Sequence, residues 1–173
     1  MRKFKLLLLS LPIFLSISSC VAEPTAENSN TRLNAVQNRK KLVCGVSGQL
    51  PGFSFVDSSG EYSGLDVDIC RAVAAALFDD PNAVEFRQLN AKERFTALQT
   101  GEVDLLSRNT TWTMSRDTSV GLNFAPVVFY DGQGMMVRKD SNIKSLADLQ
   151  GKAICTQTGT TNEQNLADQM RKR

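Results

Sequence analysis

An alternation of apolar runs and amphipathic stretches between residues 42 and 107 constrains the fold most strongly. Leu42–Val46 is a continuous apolar run, typical of a strand that is buried on both faces of a parallel sheet. Residues 65–78 follow with apolar positions spaced three and four apart, which is the period of an amphipathic helix. Strands at 84–89 and 103–107, with a helix at 91–100 between them, complete the alternation. This order predicts a doubly wound α/β fold.

The segments outside this core are predicted from turn residues and shorter patterns. Residues 49–64 are rich in Gly, Pro and Ser, which indicates a loop. Residues 126–139 indicate a long extended segment. Ser145 is placed to begin a helix, a strand is predicted over 153–157, and a last helix begins at Asn162.

The first twenty residues predict an export signal. Three positive charges in the first five residues precede an apolar segment, residues 6–17, that is shorter than a membrane-spanning helix. The segment leads to Cys20 in a pattern that matches either a lipobox, in which Cys20 is acylated, or an ordinary cleavage site. Both alternatives predict an exported protein, in which residues 21–34 form a flexible tether.

Charge and composition argue against several functions. The formal net charge is +2, and three cations lie in the export signal, so the remainder lacks the basic face that nucleic-acid binding requires. Histidine, the commonest metal ligand and general base, does not occur in the sequence. Asp66 and Asp68 stand two apart on a helix and therefore point in different directions. N-cap and helix-dipole roles are favoured for them over a metal site, and we predict no metal and no cofactor.

Three cysteines remain after Cys20. Cys44 and Cys70 lie on a predicted strand and on the helix that follows it. They form either a disulfide or a pair of small buried apolar side chains, and the oxidising compartment of an exported protein favours the disulfide. Cys155 is then left without a partner.

A polar stretch follows the third predicted strand, at the edge where ligands of open α/β sheets bind. Residues 107–117 read SRNTTWTMSRD. Thr113 is a candidate N-cap, and Arg116 follows three residues later, which would place a guanidinium beside free backbone N–H groups. Such a site suits a carboxylate, because a guanidinium donates two parallel hydrogen bonds to it. The alternative is an ordinary polar loop in which Arg116 pairs with a local acid.

A second turn, residues 157–161 with the sequence QTGTT, lies between a predicted strand and a helix. Its hydroxyls and backbone N–H groups could bind an anion. A plain turn with a threonine N-cap is the favoured interpretation when this stretch is taken alone.

The motifs together resemble family 3 solute-binding proteins, the polar amino-acid group, and especially its branch of general L-amino-acid-binding proteins. The most specific are SRNTTWTMSRD at 107–117, YDGQG at 130–134 and QTGTTNEQNL at 157–166. The resemblance covers about residues 35–168. It implies a type II periplasmic-binding-protein fold, with a first α/β lobe over 35–135 and a crossing strand with an incomplete second lobe over 136–173.

The resemblance also implies the site and the partners. Arg116 would bind the α-carboxylate of a free L-amino acid bidentately, and Asn109 and Thr111 would line the same pocket. Gly159, Thr160 and Thr161 would contact that carboxylate from the second lobe. The protein would be a monomer without enzymatic activity that delivers amino acids to an ABC permease in the inner membrane, with a lipid anchor at Cys20.

Two departures from the family pattern qualify these expectations. Many relatives carry an aromatic residue near Leu50 to stack on the ligand, whereas residues 49–53 of this chain read QLPGF, which does not match that pattern. Relatives also continue past Arg173, so the chain is expected to be a truncated form in which binding that needs closure of two lobes is lost or greatly weakened. The alternative function is a dehydratase or another enzyme on the same fold, but the loops offer no acid or base for it.

Overall fold

The structure, a computed structural model, describes residues 31–171. The predicted export signal, including Cys20, lies outside the described residues, as does the tether up to residue 30. The first helix, α1 (Thr31–Arg39), includes the last four residues that the sequence analysis assigned to the tether. Within residues 31–171, every helix is too short or too polar to cross a membrane.

The strands and helices of the predicted α/β core are present in the predicted order. After α1 the elements are β1 (Leu42–Val46), β2 (Gln49–Leu50), β3 (Ser54–Val56), β4 (Tyr62–Ser63), α2 (Leu65–Phe78), β5 (Val84–Gln88), α3 (Arg94–Thr100), β6 (Leu105–Leu106), α4 (Met114–Ser119), a 3-10 helix (Leu146–Leu149) and α5 (Thr161–Arg171). The mixture confirms the predicted α/β class.

The main sheet has three parallel strands in the order β5-β1-β6. In this register Cys44 of the central strand β1 lies opposite Phe86 of β5 and Leu105 of β6. All five residues of β1 are buried, because neighbouring strands cover both of its edges and helices cover both of its faces. The prediction of a buried parallel strand is therefore confirmed.

Successive residues of β1 point to opposite faces of the sheet and meet different helices. Leu42 packs with Val36 of α1 and Ala74 of α2 on one face. Val43 packs with Ala97 of α3 on the other. The sheet is therefore covered on both sides, as expected of a doubly wound fold.

The helix α2 has the bounds that the sequence predicts, but its N-cap differs. The cap is Gly64, with φ of 112°, and a Cβ at this position would lie 2.4 Å from the carbonyl oxygen of Phe53. The predicted N-cap role of Asp66 and Asp68 is therefore wrong. Asp66 is buried in the first turn, and Asp68 forms an ion pair of 3.4 Å with Arg71.

A disulfide joins Cys44 of β1 to Cys70 of α2, where both side chains are fully buried. It links the central strand to the helix that covers it, across 26 residues of sequence. Cys155 is an exposed free thiol.

Several predictions outside the core are wrong. The predicted loop 49–64 contains a small antiparallel sheet in the order β2-β3-β4, whose strands are too short to show a recognisable alternation. The predicted strand 153–157 is not formed, and residues 126–138, predicted only as an extended segment, form neither a helix nor a paired strand. A strand requires a neighbour to complete its hydrogen bonds, and within residues 31–171 no other strand pairs with these segments. The helix expected at Ser145 is a single 3-10 turn, closed by a capping box with Asp148.

Candidate ligand-binding site

The carboxyl ends of the three parallel strands meet at one edge of the sheet, and buried polar side chains collect there. Ser54 Oγ accepts a hydrogen bond of 3.0 Å from the backbone N–H of Ser47, which follows β1. The same hydroxyl donates to Asp66 Oδ2 at 3.2 Å. Arg108, two residues after β6, donates through Nη1 to the carbonyl of Leu89 after β5, at 2.6 Å. This edge is where open α/β sheets bind ligands.

Arg116 reaches this edge from α4. The hydroxyl of Thr113 accepts the N–H of Arg116 at 3.2 Å, which confirms Thr113 as the N-cap. The guanidinium donates through Nη1 to the carbonyl of Thr111 at 2.8 Å and lies 5.3 Å from the ring centre of Phe95. Arg116 is buried, and the loss of solvation lowers its pKa below that of a free arginine.

The QTGTT turn lies directly on this guanidinium. Gly159 adopts φ of +82°, and a Cβ there would lie 3.1 Å from the carbonyl oxygen of Ala91, so the turn packs closely on the start of α3. The carbonyl of Gly159 accepts a hydrogen bond of 3.2 Å from Arg116 Nη2. The hydroxyls of Thr111 and Thr161 lie 3.1 Å apart. The structure therefore brings together four of the six predicted ligand-binding residues: Thr111, Arg116, Gly159 and Thr161.

The other two predicted residues engage different partners. The Oδ1 atom of Asn109 accepts hydrogen bonds of 3.2 and 2.8 Å from Arg108. The hydroxyl of Thr160 donates to the carbonyl of Gln157 at 2.7 Å and accepts the N–H of Glu163 at 3.2 Å. Thr160 therefore forms the threonine cap that the plain-turn interpretation expects. Asn109 and Thr160 both line an adjacent cavity of about 270 Å³.

Glu163 acts as an internal anion at this turn. Its Oε2 atom accepts the backbone N–H of Gly159 at 2.9 Å. This N–H is one of the groups that the resemblance implies for ligand binding. Glu163 therefore competes with a ligand carboxylate for Gly159.

Two further buried arginines belong to the site and were missed as site residues from the sequence. Arg94 is 1% exposed and donates through Nη2 to the carbonyl of Gly159 at 3.2 Å, and through Nη1 to that of Asn109 at 3.5 Å. Burial, followed by the positive charges of Arg108 and Arg116, lowers the pKa of Arg94 to about 10. The spacing of three residues to the buried Ala97 places residue 94 on the inward face of α3, but this pattern alone does not identify a cationic site.

The charges around Arg108 differ from those around Arg94. Burial lowers the pKa of Arg108, and the carboxylates of Asp66 and Glu93 oppose that effect. Burial raises the pKa of Asp66, although the Ser54 hydroxyl and the Arg108 charge act in the opposite direction. The charges of Asp66 and Arg108 therefore attract each other, which reduces the cost of burying both groups. Within residues 31–171, no group of three or more Cys, Asp or Glu side chains could hold a metal ion.

Comparison with known proteins assigns this chain to a family. Residues 42–173 match the family of bacterial extracellular solute-binding proteins, family 3. The chain is 58% identical over 140 residues to the general L-amino acid-binding periplasmic protein AapJ of Rhizobium johnstonii, covering 81% of this chain and 41% of AapJ. It is 51% identical over 140 residues to the glutamate/glutamine/aspartate/asparagine-binding protein BztA of Rhodobacter capsulatus, again covering 81% of this chain and 41% of BztA.

Solved structures agree with this result. A periplasmic binding protein from Brucella ovis with glutathione bound superposes with a TM-score of 0.75 at 56% identity, over 81% of this chain and 44% of that one. The cysteine-binding protein of Campylobacter jejuni gives a TM-score of 0.69 at 30% identity, over 80% and 55% respectively. The expected type II periplasmic-binding-protein fold is confirmed, and the chain spans less than half the length of AapJ, BztA and the Brucella protein. The chain therefore belongs to family 3 of the bacterial extracellular solute-binding proteins.

Proposed function

We propose that this chain belongs to the substrate-binding component of an amino-acid ABC importer and binds free L-amino acids through the α-carboxylate. One observation carries the proposal: the buried guanidinium of Arg116 lies at the sheet edge with Nη2 bonded only to a neutral carbonyl, that of Gly159. A carboxylate oxygen at that position would form a charge-assisted hydrogen bond, which is about twice as strong as the neutral one.

The surrounding groups support a carboxylate at this position. The hydroxyls of Thr111 and Thr161 lie beside the guanidinium and can donate to a second oxygen. Asn109, Gly159 and Thr160 are proposed as additional contacts, which the ligand would reach by displacing Arg108 and Glu163 from their present hydrogen bonds. The ring of Phe95 under Arg116 holds the guanidinium plane in place.

The relatives support the wider assignment. AapJ and BztA are named for binding amino acids, and the matched family consists of extracellular solute-binding proteins. We accordingly propose that the protein is exported, anchored through an acylated Cys20, monomeric, and a donor of amino acids to an inner-membrane permease. A dehydratase on the same fold is not favoured, since the relatives are binding proteins.

Fluorescence of Trp112 provides the test of carboxylate binding. This side chain adjoins Thr111, is 50% exposed and stacks on Phe124. Two charge-assisted hydrogen bonds of about 1.5–3 kcal/mol each total about 3–6 kcal/mol, which corresponds to a Kd between about 40 μM and 6 mM for this chain. We expect L-amino acids to change the emission at that concentration, and Arg116→Ala to abolish the change.

The matched control is Arg138→Ala, which removes an exposed arginine paired only with Asp140. It should leave the titration unaltered. Equal affinity of the Arg116→Ala variant and the parent protein would refute the proposed carboxylate site.

A further inference from the structure

The QTGTT turn, residues 157–161, lies where the proposed ligand carboxylate would bind. The carbonyl oxygen of Gly159 accepts a hydrogen bond of 3.2 Å from Arg116 Nη2 and another of 3.2 Å from Arg94 Nη2. Both guanidinium groups are buried, so this one oxygen serves donors to which water has little access. A carboxylate that binds Nη2 of Arg116 at the same point has to displace the carbonyl.

Close packing of the backbone holds the turn in this position. Gly159 adopts φ of +82°, a region that residues with a Cβ rarely enter. A Cβ there would lie 3.1 Å from the carbonyl oxygen of Ala91 and 3.3 Å from the Cα of Lys92, which are backbone atoms just before α3. Because residue 159 has no side chain, the turn can approach α3 closely enough for its carbonyl to reach the guanidinium groups.

Side chains hold the turn from both sides. Glu163 of α5 accepts the backbone N–H of Gly159 through Oε2 at 2.9 Å. The hydroxyls of Thr111 and Thr161 lie 3.1 Å apart, so the end of the turn is also hydrogen-bonded to the stretch that precedes α4. The turn is thus fastened across the candidate site by groups of the chain itself.

We infer that the QTGTT turn is a self-inhibitory latch: the Gly159 carbonyl takes the place of the ligand carboxylate on Arg116 and has to withdraw before an amino acid binds. The inference rests on the proposed function and adds a conformational step to it. The affinity measured for a ligand falls in proportion to the fraction of molecules in which its site is accessible. A substitution that weakens the latch and leaves Arg94 and Arg116 intact should therefore tighten binding.

The test is Gly159→Ala in the full chain, titrated with L-glutamine and followed by Trp112 emission. The added Cβ presses on the backbone of residues 91 and 92 only while the turn is latched, and the backbone N–H of residue 159 is kept. We expect the variant to bind L-glutamine about fivefold more tightly, a ratio equivalent to about 1 kcal/mol. The matched control is Gly151→Ala, because Gly151 has a similar φ of +73° but its Cβ would meet nothing within 4 Å. This control should leave the affinity unchanged.

Glu163→Gln is the second variant, used if Gly159→Ala does not fold. It replaces the charged acceptor of the Gly159 N–H with a neutral one, which weakens that hydrogen bond and with it the latch. We expect about threefold tighter binding of L-glutamine. Asp168→Asn removes the same charge from α5 at a residue that pairs with Arg171, and should leave the affinity unchanged.

The outcomes separate the latch from the proposed function. A folded Gly159→Ala variant that binds L-glutamine no more tightly than the unaltered protein overturns the latch and leaves the carboxylate site at Arg116 in place. If only Glu163→Gln folds, its affinity decides in the same way. Tighter binding by the variant, or binding by the variant alone, supports the latch. Binding by neither the unaltered protein nor a folded variant overturns the proposed function and the inference with it.

Discussion

Removal of the Cys44–Cys70 disulfide is expected to destabilise the protein by about 3.5 kcal/mol. The bridge closes a loop of 26 residues of sequence, and the loss of loop-closure entropy in the unfolded chain gives this value at 25 °C. It is a large share of the roughly 5–15 kcal/mol by which domains are stable. Both sulfur atoms are fully buried between β1 and α2, so the lost packing in the variant Cys44→Ala/Cys70→Ala adds to this entropic value.

Urea denaturation followed by Trp112 emission measures this difference. With a slope of about 2 kcal/mol per molar, the midpoint should fall by about 1.7 M. Cys155→Ser, which changes only an exposed free thiol, is the matched control and should leave the midpoint unchanged. A loss of less than about 1 kcal/mol in the double variant would refute the argument, as would a native protein whose midpoint does not respond to reduction.

Two further predictions concern stability. Gly101→Ala should lower the free energy of unfolding, measured by urea denaturation, by about 1 kcal/mol, because Gly101 ends α3 with φ of 81° and faces the Arg32 guanidinium. The control Gly132→Ala lies in open space and should leave the free energy of unfolding unchanged. Burial raises the pKa of Asp66, so its carboxylate binds a proton more tightly in the folded protein than in the unfolded chain. The free energy of unfolding should therefore fall as pH rises from about 4 through the raised pKa. Asp66→Asn should lack this fall, and an identical pH profile for the two proteins would contradict it.

The sequence was most informative where one element buries a continuous apolar face. The residues of α2 that meet the sheet recur every three to four positions, and its predicted range matches the structure. The run Leu42–Val46 likewise predicted a strand buried on both sides. Both signals come from the hydrophobic pattern of a single element.

Elements that depend on a partner were not predictable in this way. The strands β2, β3 and β4 contain only two or three residues each, which is too few for a period to appear. The stretch 153–157 is apolar enough for a strand, yet a strand forms only where another can share its hydrogen bonds. Its local pattern therefore predicted a strand that the described part of the chain does not form.

The same distinction between local and long-range signals applies to the residues of the candidate site. Strand order locates the ligand edge, and the N-cap pattern locates Arg116 on it, because both follow from local sequence. Arg94 is different, since an arginine within a helix normally indicates a solvent-facing position. Its burial becomes intelligible only when Gly159, 65 residues away, supplies the acceptor that Arg94 and Arg116 share. A paired cationic site of this kind is created by the long-range contact, so a scan of single segments finds one arginine and overlooks the other.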